Sequence, residues 1–337
     1  MRKVLSIFLT VVILTIMLAG CQTKPNDNNT TPENTQTDNS EPVDIRIGGL
    51  KGPTSMGMVK LMEAAEAGEA TNNYTFTISG SADEVTPKLI KGELDMAAVP
   101  ANLASVLYNN TNGEVKLLAV NTLGVIYIVE KGNEVQSFED LKGKTIYATG
   151  KGSTPEYALR YLLSENGIDP DKDVKLEWKA EPTEVVALLS ELENGVAMMP
   201  QPFVTVAQTQ IEGLRIAIDL TKEWDALDNG SALITGVLVV RKDFAEKHPK
   251  QIAAFLDEYK QSTEYVNANI PEASKLVEKY GIVKAAVAEK AIPYCNIYFM
   301  EGTEMKTSMQ GYLNVLFEQN QKSIGGELPK DDFYYEK

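Results

Sequence analysis

The 337-residue chain contains only one histidine and only two cysteines. One histidine is too few for a histidine-based zinc site. His248 is also the sole candidate for a Ser–His or Cys–His pair, and it precedes Pro249 at a predicted helix start, where a surface residue is expected. Cys295 has no partner in the body of the chain and is predicted to be a small, buried apolar residue. These shortages argue against a metal cofactor, a disulfide framework and the common nucleophilic enzymes.

Positive charge is also scarce, with 32 Lys and Arg against 47 Asp and Glu and a net charge of −15. Nucleic acids and anionic lipid surfaces are both bound through a basic face. We therefore expect no nucleic-acid partner and no electrostatic docking on a membrane surface. The charge of a ligand is less constrained, because the field inside a pocket can oppose the net charge.

The common nucleotide-binding motifs are missing from the sequence. It has no GxxxxGK[ST] and no GxGxxG after a predicted strand, and the stretch GKGST at 150–154 has the wrong spacing. We therefore expect no nucleotide and no other cofactor.

The N-terminus carries a secretion signal. Arg2 and Lys3 precede an uncharged apolar stretch at 4–18, and small residues follow in LAGC at 18–21. LAGC resembles the lipobox of bacterial lipoproteins, which implies a signal peptide at 1–20, cleavage before Cys21 and lipid attachment to its thiol. An uncleaved membrane anchor is the alternative. Either interpretation places the rest of the chain at the cell surface or in the periplasm.

Residues 22–43 contain one apolar side chain, Val43, among Asn, Thr, Pro, Asp and Glu. Such a segment cannot bury enough apolar surface to offset its ordering entropy. We interpret 21–43 as the lipidated cysteine and a flexible tether.

The remaining residues 44–337 alternate strand and helix patterns in two cycles, the second beginning near SFEDLKGKTIYATG at 137–150. A chain of this size usually forms more than one core. The pattern predicts an α/β fold with two lobes, each with a mostly parallel sheet flanked by helices.

Four stretches carry a family resemblance: GPTSMGM (52–58), GELDMAAVPAN (92–102), SFEDLKGKTIYATGKGSTPEYALRYLLSENGI (137–168) and GVLVVRKDFAEKHPKQIAAFLDEYKQSTEYVNAN (236–269). They are similar to solute-binding proteins of ABC importers, of the nitrate/sulfonate/taurine type and the thiamine-pyrimidine-precursor (NMT1-like) type. The resemblance implies a type II periplasmic-binding fold, a monomer, and an ABC permease with its ATPase as partners. It places lobe one at 44–133 plus 236–337 and lobe two at 134–235, with crossovers within 128–136 and 230–236. Two independent consecutive domains are the alternative.

The candidate binding residues lie in loops that follow the predicted strands. In open α/β sheets, ligands bind beyond the carboxyl ends of the strands, where helix N-termini offer free N–H groups. Ser153 or Thr154 is also expected to cap a helix, and a purely capping role is the alternative to binding. The candidates from both lobes are Thr54, Ser55, Met56, Ser81, Asn102, Asn121, Thr122, Gly152, Ser153, Thr154, Gln201 and Phe203.

The composition of these loops limits the charge and the chemical class of the ligand. They contain hydroxyls, amides and glycines, no arginine, and Lys151 as the one cation. Because bidentate arginine is the usual clamp for a multiply charged anion, we expect a small monoanion, such as a sulfonate or carboxylate, or a neutral heterocycle. Met56, Phe203 and Trp224 could supply an apolar wall, although such residues are more often core.

Two other functions fit the same pattern. A sensory binding lipoprotein would use the same two lobes. Some proteins with this fold are enzymes, but the pyrimidine-precursor synthases among them rely on histidine and a Cys-rich motif that this sequence lacks. We therefore expect a binding protein rather than an enzyme.

Overall fold

The computed structural model of the chain describes residues 41–337. The predicted signal peptide, Cys21 and nearly all of the predicted tether lie outside the described residues. Within 41–337 no helix is both long enough and apolar enough to cross a membrane.

Two sheets organise the described residues. The eleven strands are β1 (Asp44–Leu50), β2 (Asn73–Ser79), β3 (Met96–Pro100), β4 (Val115–Leu123), β5 (Ile126–Lys131), β6 (Thr145–Ala148), β7 (Lys175–Trp178), β8 (Gly195–Pro200), β9 (Leu214–Asp219), β10 (Ile234–Arg241) and β11 (Ile297–Met300). The first sheet has the order β11-β4-β10-β3-β1-β2, and the second has the order β7-β6-β8-β5-β9.

Helices flank both sheets. They are α1 (Pro53–Met56), α2 (Val59–Ala67), α3 (Ala82–Ile90), α4 (Ala101–Asn110), α5 (Thr154–Glu165), α6 (Pro182–Glu191), α7 (Phe203–Gln210), α8 (Leu220–Ala226), α9 (Lys242–Lys247), α10 (Pro249–Ala268), α11 (Ile270–Lys279), α12 (Ala285–Ala291) and α13 (Gly302–Gln319). Short 3₁₀ helices at Phe138–Leu141, Ile292–Tyr294, Gln321–Ile324 and Asp331–Phe333 complete the set. The predicted α/β class is confirmed.

Most strands of each sheet point the same way. In the first sheet β1 to β4 share one direction, and β10 and β11 run against it. In the second sheet β6 to β9 share one direction and only β5 opposes it. The carboxyl ends of β1 to β4 and of β6 to β8 therefore each define one edge, where the loops that hold the candidate residues begin.

The position of the first crossover corrects the sequence prediction. The chain leaves the first sheet at Leu123 and enters the second at Ile126, so β5 belongs to the second sheet. The predicted lobe boundary at 133–134 falls beyond β5, because an apolar strand pattern cannot show which sheet the strand joins. The return segment 227–233 overlaps the predicted second crossover. We use "first lobe" for residues 41–123 and 234–337 and "second lobe" for residues 126–226.

Two large cores support this arrangement. One lies between the first sheet and the helices α10 to α12 and contains Ile45, Phe255 and Cys295. Cys295 is fully buried, as predicted, and burial raises the pKa of its thiol. The other core continues from the first lobe into the second and contains Trp224, which packs against rings of both lobes.

The crossover backbone changes its hydrogen-bond partners within three residues. Leu123 N donates to Asn296 O at 3.1 Å, and Gly124 O accepts from the Asn296 side chain, so both groups are held by the first lobe. Val125 O accepts from Gln201 N of the second lobe at 2.9 Å. The change of partner between Gly124 and Val125 places the lobe junction at this peptide.

Replacement of Gly124 tests how tightly the crossover is packed. A Cβ on Gly124 would overlap Thr221 Oγ1 and lie 2.9 Å from Thr221 Cβ and Cγ2. We expect Gly124→Ala to lower the free energy of unfolding by about 1–3 kcal/mol, the range for overpacking, in urea denaturation.

Gly80→Ala is the matched control, because its added Cβ would meet no atom closer than 3.7 Å. Adding Thr221→Ala should recover part of the Gly124→Ala loss. Equal stability of the Gly124→Ala and Gly80→Ala proteins would contradict this packing argument.

Candidate functional site

The carboxyl edges of the two sheets face one another. Asn102 Nδ2, on the first lobe, lies 3.5 Å from Gly152 O on the second. The loops after β2 and β7 are also adjacent, because a Cβ on Gly80 would lie 3.9 Å from Glu181 Oε1. Candidate residues that were predicted in separate lobes are thus brought together.

One cluster of candidates sits at the carboxyl edge of the first sheet, and we call Thr54, Asn121, Thr122 and Gly236 the Asn121 cluster. Asn121 Nδ2 donates to Thr54 O at 3.4 Å, and Thr122 Oγ1 donates to Asn121 Oδ1 at 3.0 Å. Asn121 and Thr122 are each 1% exposed, so their amide and hydroxyl groups lie in a dry environment. Such groups hold a fixed geometry because each is held by a partner.

Gly236 makes this cluster possible and was not among the predicted site residues. The strand register sets Gly236 opposite Pro100 on one side and Thr122 on the other. A Cβ at this position would lie 2.5 Å from Thr54 Cγ2 and 2.7 Å from Asn121 Oδ1. A glycine inside a strand often marks such a close approach, which is the signal that the sequence offered.

Tyr259 is a second residue that sequence reasoning missed. It lies on the buried face of α10, where an apolar pattern predicts only core, and its hydroxyl lies near the Asn121 side chain. Burial raises the pKa of Tyr259 and the Asn121 interaction partly opposes that rise, so the phenol stays protonated at neutral pH.

The loop before α5 differs from the predicted helix cap. Gly150 and Gly152 have φ of 82° and 75°, and the tight turn directs Ser153 Oγ to Gly150 O at 2.8 Å. No side chain caps the helix at Ser153. Glu156, held by Arg160 at 2.9 Å, instead accepts from Gly152 N at 2.7 Å. The expected capping role of Ser153 or Thr154 is therefore wrong.

Thr154 and Asn102 contact each other across the lobes. Thr154 Oγ1 donates to Asn102 Oδ1 at 3.3 Å, and both residues are 1% exposed. These two predicted site residues are thus engaged with protein groups.

Three other candidates, Ser55, Met56 and Trp224, are fully buried. Met56 packs in the core under α10, and Trp224 packs in the core that both lobes share, so neither is an apolar wall. Ser55 is fully buried, and its Oγ has no hydrogen-bond partner within residues 41–337.

Three remaining candidates lie on the loops at the edges. Ser81 and Phe203 are half-buried at the starts of α3 and α7. Gln201 Oε1 accepts from Thr205 Oγ1 at 2.9 Å, so its acceptor is already used within the second lobe.

Two ion pairs with a buried carboxylate lie away from these edges. Arg46 pairs with buried Asp95 at 2.7 Å, where β3 begins, and Arg215 pairs with buried Glu130 at 2.5 Å, near the end of the antiparallel strand β5. Both pairs therefore lie at the amino edges of the parallel strands. The buried uncharged polar residues at the carboxyl edges are Ser55, Asn102, Asn121, Thr122, Thr154 and Gln201. The second-lobe edge also has a buried charged residue, Glu156, which pairs with Arg160.

The single histidine lies far from the facing edges along the strands. β10 begins beside the Asn121 cluster and ends at Arg241, opposite Val115 at the start of β4. His248 follows at the α9–α10 junction, with its ring 4.8 Å from that of Phe244. In the part of the chain that the structure describes, no group of His, Cys, Asp and Glu is arranged to hold a metal ion.

Comparison with known proteins gives the family. The model of the NMT1-like family matches residues 39–279, which is most of the chain. The chain belongs to the NMT1-like family. No curated protein matches this NMT1-like chain.

Solved structures share the fold of this NMT1-like protein. An ABC transporter protein from Parabacteroides distasonis has 26% identity and a TM-score of 0.73, covering 87% of this chain and 99% of its own. The periplasmic aliphatic sulphonate binding protein SsuA from Escherichia coli has 16% identity and a TM-score of 0.69, covering 87% and 92%. The periplasmic nitrate-binding protein NrtA from Synechocystis PCC 6803 has 14% identity and a TM-score of 0.62, covering 83% and 82%. The predicted family and fold are confirmed.

Gly236→Ala tests the close packing of the Asn121 cluster. The new methyl group must displace Thr54 or Asn121, so we expect unfolding in urea at a lower concentration, with a loss of about 1–3 kcal/mol. Thr54→Ser in the same protein removes the nearest atom, Cγ2, and should restore part of the stability. Purely additive effects of the two substitutions would show that they do not interact.

Proposed function

We propose that this NMT1-like protein is the extracytoplasmic solute-binding component of an ABC importer and is not an enzyme. The observation that carries the proposal is the meeting of two sheet edges, each with several buried, uncharged polar side chains, at a junction of two crossovers. The fold shared with proteins that bind sulphonate and nitrate supports it. We propose that the protein is a monomer and that its partners are an ABC permease and the ATPase of that permease.

The proposed mechanism is closure of the two lobes on a solute. A ligand shifts a conformational balance only through contacts that differ between the two states. A solute held between the edges touches both lobes only when they are closed, so it favours the closed form. The crossovers at Gly124–Val125 and 227–233 absorb the rotation. The closed form then docks on the permease.

The proposed ligand is a small monoanion or a neutral heterocycle. The carboxyl edges offer hydroxyl, amide and backbone N–H groups. Arg46 and Arg215 pair with carboxylates at the amino edges, and Arg160 pairs with Glu156 beside the Gly152 loop. A pocket of such groups favours a solute with few charges and several hydrogen-bonding atoms. The residues that we propose to contact or shape the ligand site are Thr54, Ser55, Ser81, Asn121, Thr122, Gly152, Ser153, Gln201 and Phe203.

A thermal-shift screen tests the proposal. The purified protein, with Cys21→Ser to remove the lipid site, is screened against sulfonates, nitrate, bicarbonate, pyrimidines, thiamine precursors, amino acids and aromatic acids. A true ligand at 100 times its Kd should stabilise the native state by about 2.7 kcal/mol. Ser81→Ala and Phe203→Ala should weaken this effect, because both side chains are half-buried at the facing edges.

Ser164→Ala is the matched control, because Ser164 is exposed in the last turn of α5 and should leave the shift unchanged. Absence of a stabilising solute across the whole set would count against solute binding. Import is separated from sensing by uptake of the stabilising solute, which deletion of the gene should abolish in an importer and leave intact in a sensor.

We further propose that lipid on Cys21 anchors the protein at the outer face of the cytoplasmic membrane or in the periplasm. Cys21→Ser should move the protein from the membrane fraction to the soluble fraction, because lipid attachment needs the thiol. Solute affinity should not change, since the substitution lies outside residues 41–337, which hold the proposed site. Retention of the Cys21→Ser protein in the membrane would instead indicate an uncleaved anchor.

A further inference from the structure

A chain of buried hydrogen bonds connects the two lobes. Tyr312 OH donates to Thr154 Oγ1 at 3.2 Å, Thr154 Oγ1 donates to Asn102 Oδ1 at 3.3 Å, and Asn102 Nδ2 donates to Ser323 O at 2.9 Å. Thr154 belongs to the second lobe, and the other three residues belong to the first. We call Asn102, Thr154, Tyr312 and Ser323 the Thr154 relay.

Every member of the relay is withdrawn from water. Tyr312 is fully buried, and Asn102, Thr154 and Ser323 are each 1% exposed. The Thr154 hydroxyl uses its one hydrogen toward Asn102 and a lone pair toward Tyr312. Because a buried polar group without a partner is costly, separation of the lobes must either break these bonds or admit water to them.

An apolar interface surrounds the relay. The Trp224 ring lies 4.8 Å from the ring of Tyr161 and 5.7 Å from that of Tyr312, which joins α8 and α5 of the second lobe to α13 of the first. Hydrogen bonds are stronger and more directional in such low-dielectric surroundings than in water. The polar relay therefore gives one fixed alignment to an interface that apolar contacts alone would leave less specific.

The relay also fixes a loop of the candidate site. Thr154 is the first residue of α5 and directly follows Gly152 and Ser153, which lie on the facing edge. Asn102 Nδ2 additionally approaches Gly152 O at 3.5 Å. A shift of Thr154 away from Asn102 would carry this loop with it.

We propose that Asn102, Thr154 and Tyr312 are positioning residues, which hold the lobes together in the solute-free protein and do not contact the solute. The effect of these residues on solute affinity rests on the proposed function. The contact between the lobes does not, since it can be measured without any solute. Two residues predicted from sequence as ligand contacts, Asn102 and Thr154, thus have a different role. The relay shifts the equilibrium toward the closed form, and a bound solute shifts it further in the same direction.

Removal of one hydroxyl tests the relay. Thr154→Val keeps the volume of the side chain but leaves Asn102 Oδ1 and Tyr312 OH without their partner while the lobes are closed. In separated lobes both groups can bind water, so the variant should favour separation. Tyr312→Phe removes only one of the two bonds at Thr154 and should act in the same direction with a smaller effect.

Ser105→Ala is the matched control. Ser105 lies one helical turn after Asn102 on α4, is fully buried, and donates to Ile324 O at 2.8 Å, next to the carbonyl that Asn102 uses. Ser105 and Ile324 both belong to the first lobe. Its loss should destabilise the fold through a similar buried hydrogen bond without changing the lobe separation.

The measurement is the distance between spin labels on the two lobes. The labels are attached through Asp83→Cys and Thr183→Cys, at exposed positions on α3 and α6 near the facing edges. Both substitutions are made in the Cys21→Ser protein, whose remaining native cysteine, Cys295, is buried. Without solute, the parent protein should show a short-distance population. Thr154→Val should lower the ratio of short to long distances at least about fivefold, and Ser105→Ala should leave that ratio unchanged.

Three results would overturn the proposal: no short-distance population in the parent protein, an unchanged ratio in Thr154→Val, or an equal change in Ser105→Ala. None of them depends on finding a solute, so they are distinct from failure of the thermal-shift screen. If a solute is found, Thr154→Val should weaken its binding by the same factor by which the closed population falls.

Discussion

The boundary between the two lobes lies in the backbone of Leu123 to Val125. The buried N–H and C=O groups of this short segment must find hydrogen-bond partners, and each lobe supplies some of them. Two groups, Leu123 N and Gly124 O, are bound to Asn296 of the first lobe, and the next carbonyl, Val125 O, is bound to Gln201 of the second. Only two residues separate β4 from β5, so this crossover holds the adjoining ends of the two sheets close together. The facing of the two carboxyl edges, and with it the polar lining between them, depends on this junction.

Much of the fold follows from local pattern, and the errors lie where partners are distant in sequence. The order of strands and helices and the loops at the carboxyl edges follow from periodicity. The sheet to which β5 belongs does not, because Ile126–Lys131 would be an equally good strand in either sheet. Only its pairing with β8 and β9, which occur about 70 to 90 residues later, decides the matter.

For the candidate residues, the sequence predicted the type of side chain at the edges better than the role of each side chain. Short polar side chains after strands were predicted, and the structure brings Thr54, Asn121 and Thr122 together. The role of Thr154 could not be predicted, since its partner Tyr312 lies more than 150 residues away on a helix whose pattern indicates core. The helix cap failed for a local reason, because Gly150 and Gly152 turn the Ser153 hydroxyl away from the helix.

The core that contains Trp224 has a further consequence for how the molecule comes apart. Its side chains come from both sheets and from helices of both lobes, including Tyr161 and Tyr312, and they form one continuous cluster. Neither lobe could lose its structure without exposing apolar surface that the other lobe covers. Two lobes that move as separate bodies would therefore melt as one cooperative unit, with a single calorimetric transition whose enthalpy matches the van't Hoff value.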